Sequence, residues 1–490
     1  MKKIFSDYDP WKLKAFFSIV LLFIYLPSSS LAEDPRKHHV IIDTDCGPDD
    51  LRAINLLFSS TETDILAITS EDGVLEPDEG YLRIIGLLKE LGHQGIQTSQ
   101  GIIARNEDPG WRGLARQINW GKEPISFREP TEIKEFLVKL IEEEAHPVEI
   151  ICMGPLTNIA NAVLMKSSIK KQISKIIWFD QCQPELKWTN YSMDCLSANY
   201  LLKTQIPIYR ISAGNDAVEF TPEFLEEIGK IYTPYAQKIY RAFSSDSIKN
   251  KLSQEPLKLW DDLCALYLYY PELFKRDTTY ADSAGHVIKP KDGEQLKKQY
   301  LEHLESYNHI ESNVFNTFPA DTGYYRPDVR NMMIPTIRQY GIREWKAITL
   351  TEEIHPHLGI NALIGAKMGI LALKYFRAQP GSLEITSFCG HEPPLSCINE
   401  GLQIAGGTNL NHANMEIKDD VVLPKARFRY NNKTIEIKLK PPYHKKIQQA
   451  LEEARNNHPV HSQGYKSFIR EKALSYWKNW DRQEIFQIND

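Results

Sequence analysis

A chain of 490 residues is too long for one ordinary hydrophobic core, so two or three domains are expected. With 42% hydrophobic and 25% charged residues, the composition describes a soluble globular protein. A formal net charge of −6, with acids and bases mostly alternating, leaves no broad basic footprint and excludes nucleic acid as the expected partner.

The N-terminus has its own character. "MKKIFSDYDPWKLK" carries four lysines, "AFFSIVLLFIYL" is an apolar run of twelve, and "PSSSLAEDP" turns small and polar. That order is the charged, apolar and cleavage-region pattern of a secretory signal over residues 1–32, with Ser30-Leu31-Ala32 suited to cleavage before Glu33. The apolar run is shorter than the roughly 18–20 residues of a membrane span, although an uncleaved anchor is the competing reading. The expectation is an exported protein, periplasmic or secreted, with no stable membrane insertion after signal cleavage. Seven cysteines are scattered without a CxxC pair, so no disulfide framework is expected, and Cys152 and Cys264 sit in apolar stretches as packing residues.

"HHVIID" reads as a buried strand and "DDLRAINLLFSS" as a helix, with Gly47 and Pro48 turning between them. Asp43, Asp45, Asp49 and Asp50 therefore gather at the C-terminal end of a strand and the N-terminus of a helix, the edge where open α/β sheets bind ligands. Helix N–H groups relieve one carboxylate, not four. Hard oxygen ligands in this number call for Ca²⁺ or Mg²⁺, and a set of carboxylates and carbonyls favours Ca²⁺. The bland alternative is helix capping by Asp49 with solvated acids around it.

"DTDCGPDD" resembles the DTDxGxDD signature of the inosine–uridine-type nucleoside hydrolases. Three further stretches resemble that family's landmarks in the same order: "VEIICMGPLTNIANAV", "TNYSMDCLSANYLL" and "LWDDLCALYLYYPELF". The resemblance covers residues 38–340 and implies an α/β fold with a mostly parallel sheet flanked by helices. It implies one Ca²⁺ held by Asp45, Asp50, the backbone carbonyl of Thr157 and Asp261, with Asp49 and Asn190 at ribose-contacting positions. It further implies Asp45 as the base for a metal-activated water that cleaves an N-glycosidic bond, through an oxocarbenium-like transition state. The family is usually oligomeric, so a homo-oligomer is in keeping with the resemblance.

The chain departs from the family pattern on the base side. The late His that protonates the leaving base falls at Trp260, the Glu of the Glu-Phe-Asn segment at Trp188, a Met position near Trp178, and an Asn near Val74. Trp260 suits stacking on a nucleobase, and Asp72, Glu71 or Asp262 are candidates to replace lost hydrogen bonds. The three tryptophans equally suit a non-nucleoside sugar, and each taken singly also reads as core packing. The alternative function is therefore a non-catalytic or non-nucleoside glycosyl-binding protein that keeps the metal cradle but lacks the leaving-group acid.

Beyond residue 341 the chain changes. "WKAITLT" reads as a strand leading to His355-Pro-His357 and an amphipathic helix. His355, His357, Cys389, His391, Cys397 and His412 concentrate in this region, a set that suits Zn²⁺ or Fe. Residues 341–425 resemble the E-subunit-like domain of formylmethanofuran dehydrogenase, which implies His355, His357 and Cys397 as ligands of a second metal. The family's second Cys falls at Gly407, leaving His391 or His412 to complete the set; ordinary packing or a Cys389–Cys397 disulfide competes with it. A hairpin around Asn431-Asn432 would complete a smaller α+β domain over 341–460. Two helices, joined near Pro459 and Gly464, end in a helical tail over 461–490, and the two domains would pack together near 335–350.

Overall fold

The computed structural model describes residues 38–489 except 104–109, 123–131, 182–187, 215–216, 279–284, 308–317, 319–321, 356, 409–413, 432 and 461. The segment expected as a signal, residues 1–32, lies outside the described residues, as do His412 and Asn432.

In chain order the strands of the first part are β1 (His38–Thr44), β2 (Thr63–Ser70), β3 (Gln97–Gln100), β4 (Val148–Cys152), β5 (Ile173–Phe179), β6 (Ile208–Ile211), β7 (Glu219–Phe220), β8 (Leu257–Lys258), β9 (Phe274–Arg276) and β10 (His286–Pro290). Eight of them form one sheet in the order β3-β2-β1-β4-β5-β6-β10-β9, and β7 and β8 make a separate ribbon. The pairs β1–β4, β2–β3, β4–β5, β5–β6 and β6–β10 are parallel, while β9 runs antiparallel to β10. Parallel strands need helical crossovers that cover both faces, so the strands must be apolar on both sides. Val40 and Ile42 accordingly enter one core and Ile41 the other, all fully buried. With β2 and β3 on one side of β1 and β4 to β6 on the other, the winding reverses between β1 and β4. A crevice opens at the carboxyl ends of the strands at such a switch point.

The helix Asp50–Ser59 leaves that crevice and is buried along its whole length. Arg52 would be an intolerable buried charge alone; Asp262 receives its Nε at 3.1 Å and Nη2 at 2.7 Å. His303, from the helix Gly293–Ser306, approaches the Leu56 carbonyl through Nε2 at 3.0 Å and the Tyr270 hydroxyl through Nδ1 at 2.8 Å.

The second part carries β11 (Glu384–Ser387), β12 (Met415–Ile417), β13 (Lys425–Tyr430), β14 (Lys433–Leu439) and β15 (Phe486–Asn489), in the sheet order β12-β11-β13-β14-β15. The hairpin expected near residue 431 is β13–β14, with Asn431 in the left-handed region at φ 52°. Helices Ile360–Phe376 and Ile398–Gly406 touch so closely that a Cβ on Gly401 would lie 2.1 Å from the Ala362 carbonyl. The fold class is thus a mostly parallel α/β sheet flanked by helices, followed by a smaller α+β unit.

Two expectations need correction, and one competing reading falls away. "WKAITLT" belongs to a helix, Ile342–Ile354: Ile342, Trp345, Ile348 and Thr351 recur every third residue on the buried side, and Trp345 stacks on Trp477 at 4.5 Å. Tertiary packing on that stripe overrides the β-branched composition. The last segment is helical over Gln463–Asn479 and Arg482–Ile485 but closes as β15 against β14, because β14 otherwise presents an unpaired edge. Cys389 and Cys397 are both free thiols.

The contact between the two parts is not confined to 335–350. Arg377, at the end of the Ile360–Phe376 helix, donates to the carbonyls of Thr63, Phe58 and Ser60 at 3.2, 3.4 and 3.2 Å. It thereby places a cation at the C-terminus of the Asp50–Ser59 helix, where the helix dipole favours one. His93 Nδ1 meets the Lys374 carbonyl at 2.8 Å, and Gly95 N–H donates to Tyr375 O.

Burial lowers the pKa of His303 from 6.5 to about 4. The unfolded chain takes up this proton first as pH falls, so the stability from the neutral imidazole is present above pH 6.5 and lost toward pH 4. Urea unfolding across that interval is expected to show a loss of about 3 kcal/mol from this residue, absent in His303→Gln.

Candidate active site and metal centre

Backbone geometry explains why the signature turn gathers its carboxylates. After β1, Cys46 adopts φ 58°, and its N–H donates to Thr44 Oγ1 at 3.0 Å. The Thr44 hydroxyl in turn donates to Asp50 Oδ1. Asp49 and Asp50 then open the helix, and Asp261, at the start of the helix Asp262–Tyr269, donates its backbone N–H to Asp49 Oδ2 at 3.4 Å.

Carboxylate oxygens of Asp49, Asp50 and Asp261 lie within 4.8 Å of one another. Asp50 Oδ2 and Asp261 Oδ1 are buried and accept no hydrogen bond from the described residues. Burial first, then the charges of Asp45 and Asp49, push the Asp50 carboxyl well above its usual range; burial, Asp49 and Asp50 do the same to Asp261. Such a cluster is stable only if protons or a cation neutralise it. Hard oxygen donors with two orphaned buried atoms fit a divalent cation of the Ca²⁺ or Mg²⁺ type.

Asp45 lies beside this trio on the cleft wall. Its Oδ2 accepts the Val74 N–H at 3.0 Å, and its carbonyl accepts the Leu75 N–H. Two glycines make room for it: a Cβ on Gly73 would lie 2.1 Å from Asp45 Oδ2, and one on Gly154 would lie 3.1 Å from Asp45 Cβ.

The cleft has a volume of about 310 Å³, the lower end of what small-molecule sites enclose. Asp45, Asp49, Asp50, Asn190, Trp188, Trp260 and Asp261 all line it. Asn190 Nδ2 donates to the carbonyls of Phe179 and Met153 at 3.0 and 3.3 Å. Trp111 also lines the cleft and meets Trp260 edge-on, ring centres 5.7 Å apart. Its lone position in "DPGWRGLARQ" carried no motif, so only the fold reveals it.

Two expected residues are elsewhere. Thr157 begins the helix Thr157–Met165, so its carbonyl enters the helix ladder, and its hydroxyl donates to Asp194 Oδ2 at 2.6 Å. Met153, just past β4, does line the cleft, and its carbonyl accepts from Asn190 Nδ2. Strand alternation turns Trp178 into the opposite core from Phe179; it is fully buried, its indole N–H donating to Gly154 O at 3.0 Å. Asp262 is committed to Arg52, and Glu71 Oε2 accepts the Asn158 N–H at 2.9 Å, so neither replaces a substrate contact. Asp43, pushed up to about 6 chiefly by burial, accepts from Thr69 Oγ1 and Asn158 Nδ2 behind the site.

In the second part, His355 Nδ1 lies 2.6 Å from Glu400 Oε2, and the His355 and His357 rings are 4.7 Å apart. Cys397 precedes the same helix turn as Glu400; burial, then Glu400 and Glu352, raise its thiol to about 11. Glu352, raised to about 8 by burial, holds the Gly359 N–H with Oε2, while Oε1 is buried without a partner among the described residues. Gly407 caps the far end of the helix Ile398–Gly406, and His391 pairs with Asp419 at 3.5 Å, so neither joins this cluster. Glu352 and Glu400 were the unforeseen members, since isolated acids on helices carry no motif.

Gly73→Ala is expected to displace the Asp45 carboxylate and lower kcat/KM on nucleosides by about 10²-fold while the protein stays folded by circular dichroism, since an ångström of misplacement costs that much.

Residues 40–309 match the family described as inosine-uridine preferring nucleoside hydrolase, and residues 354–487 match FmdE, molybdenum formylmethanofuran dehydrogenase operon. The pyrimidine-specific ribonucleoside hydrolase RihA of Photobacterium profundum is 29% identical over 255 residues, 48% of this chain and 81% of that one. RihA of Escherichia coli O7:K1 is 26% identical over 257 residues, 48% and 80% of the two chains. Among solved structures, the plant nucleoside hydrolase PpNRh1 has a TM-score of 0.47 at 21% identity, covering 58% of this chain and all (100%) of that one. The purine-preferring ribonucleoside hydrolase from Gardnerella vaginalis has a TM-score of 0.46 at 17% identity, covering 55% and 98%. With its family match spanning more than half of its length and an FmdE domain fused behind it, this chain belongs to the inosine-uridine preferring nucleoside hydrolase family and is a hydrolase acting on nucleosides.

Proposed function

We propose that this protein is an exported, calcium-dependent N-ribohydrolase. The observation that carries the reading is the trio Asp49, Asp50 and Asp261, with two buried carboxylate oxygens that accept nothing from the described residues. Asp49, Asp50 and Asp261 would hold the ion, with Asp45 and the Met153 carbonyl at its margin. Bound there, the cation supplies charge neutralisation and an acidified water.

The chain's own residues do the rest. Asp45, fixed by the Val74 N–H and by the glycines around it, takes the proton of the attacking water. Asn190 and Asp49 orient the ribose hydroxyls. The surrounding carboxylates stabilise positive charge developing on the ribose ring. Trp260 and Trp111 offer indole surfaces to the departing base, so stacking takes the part that a positioned acid plays in other glycosidic cleavages. Broad indole surfaces favour purines over pyrimidines. Export rests on the charged, apolar and small-residue order of residues 1–32. Among the described residues no helix is long and apolar enough to cross a membrane.

Base release from a panel of purine and pyrimidine nucleosides tests this reading. Activity should disappear with EDTA, return with Ca²⁺, and be lost in Asp50→Ala. Trp260→Ala should lower kcat/KM on purine nucleosides by roughly 10- to 100-fold, the worth of one base–aromatic stack. Activity indifferent to EDTA and to Asp50→Ala would refute the metal assignment.

We also propose a second ion, of the Zn²⁺ or Fe type, in the FmdE domain, held by His355, His357 and Cys397 with Glu400 and Glu352 around them. Cys397→Ala in the full chain should remove one equivalent of such metal without changing nucleoside hydrolysis; unchanged metal content would refute it.

A further inference from the structure

The amino-terminal end of the large sheet's central strands, opposite the aspartate cleft, holds a second concentration of metal-ligating groups. His39 opens the buried part of β1 and pairs in register with Val148, the first residue of β4. The turn before β4 carries Glu144, directly after the helix Ile133–Glu143, and His146. Glu144 Oε1 lies 3.6 Å from His39 Nδ1 and 3.1 Å from His146 Nδ1, and Asp64 Oδ2 lies 4.0 Å from His39 Nδ1. The two imidazoles stack at 4.2 Å with 14° between their planes.

This turn is held by its surroundings. Glu144 Oε1 accepts the His146 backbone N–H at 3.0 Å, and Gln172 Nε2 donates to the carbonyls of both Glu144 and His146 at 3.0 and 2.8 Å. The donor atoms therefore sit on a pinned backbone at the starts of two paired strands.

We propose that His39, Glu144 and His146, with Asp64 as a fourth donor, form a binding site for a Zn²⁺-class ion, separate from the aspartate cleft and from the FmdE domain. The chemistry is that of a borderline cation, two imidazoles and carboxylate oxygen. The spacing agrees: donors about 2.0–2.1 Å from a tetrahedral ion stand about 3.3 Å apart, between the two Nδ1–Oε1 distances. The site clamps the beginnings of β1, β2 and β4 together. It takes no part in the hydrolysis.

The test titrates ZnCl₂ into the full chain bearing Cys397→Ala, which removes the proposed site of the FmdE domain, with Ca²⁺ saturating the aspartate cleft. One equivalent of zinc should bind calorimetrically and raise the melting temperature. Adding His146→Ala should weaken that binding at least tenfold and abolish the thermal shift. His146 is only partly buried, so the variant should fold; Glu144→Gln, which keeps the turn's hydrogen bond, serves as a second probe. Zinc binding unchanged by both substitutions, or no zinc binding in the Cys397→Ala chain, would overturn the proposal.

Discussion

Mutual repulsion among buried carboxylates is the constraint around which the hydrolase part is arranged. Asp49, Asp50 and Asp261 converge at the mouth of the crevice between β1 and β4, with Asp45 on its wall. The nearby guanidinium of Arg52 is held by Asp262 through Nε and Nη2, and of the trio Asp49 also acts on its charge. Negative charge is thus left uncompensated at one point and compensated one residue away. A structural ion pair would have placed the guanidinium among the acids; here it is committed behind them.

Holding such a cluster together requires rigidity from behind. The helix that presents Asp49 and Asp50 is buried throughout, tied by His303 to the Leu56 carbonyl and by Arg377 to its last carbonyls. Asp43 and Glu71, linked through Asn158, support the adjoining strand ends. Polar groups buried in this manner are costly unless every partner is present, which confines the strand ends to one arrangement. The FmdE domain enters this scheme physically: Arg377 belongs to it, and the helix it caps carries the site at its other end. Inside the FmdE domain, Glu344 is buried between Lys367 and Arg482, a triad that joins the helices to the C-terminal segment.

The opposite end of the sheet is built differently. Histidines and acids cluster there on a pinned turn, whereas the cleft uses acids alone. Oxygen-only and nitrogen–oxygen donor sets suit different cations, so the two ends of the central strands of this mostly parallel sheet differ in the chemistry they present.

Strand, turn and helix around Asp45–Asp50 were legible in the sequence because the apolar run, the Gly-Pro turn and the acidic first helical turn are local signals. The order of the four landmarks carried the family, and the hairpin at Asn431 followed from alternation and turn chemistry. What the chain could not declare by itself was which side of a strand or which end of a helix a residue occupies. Trp178 and Phe179 are neighbours in sequence yet face opposite cores. Thr157 stands four residues beyond Met153, yet the strand end puts only Met153 on the cleft wall. "WKAITLT" satisfied the composition of a strand, and packing against Trp477 made it a helix. Trp111, Glu352 and Glu400 reach their sites through contacts between distant segments, for which no spacing rule exists. Local chemistry therefore determined the carboxylate cluster and the fold of its strand–helix unit, and tertiary packing alone decided which carbonyl, which indoles and which acids stand beside it and beside the candidate cluster of the second part.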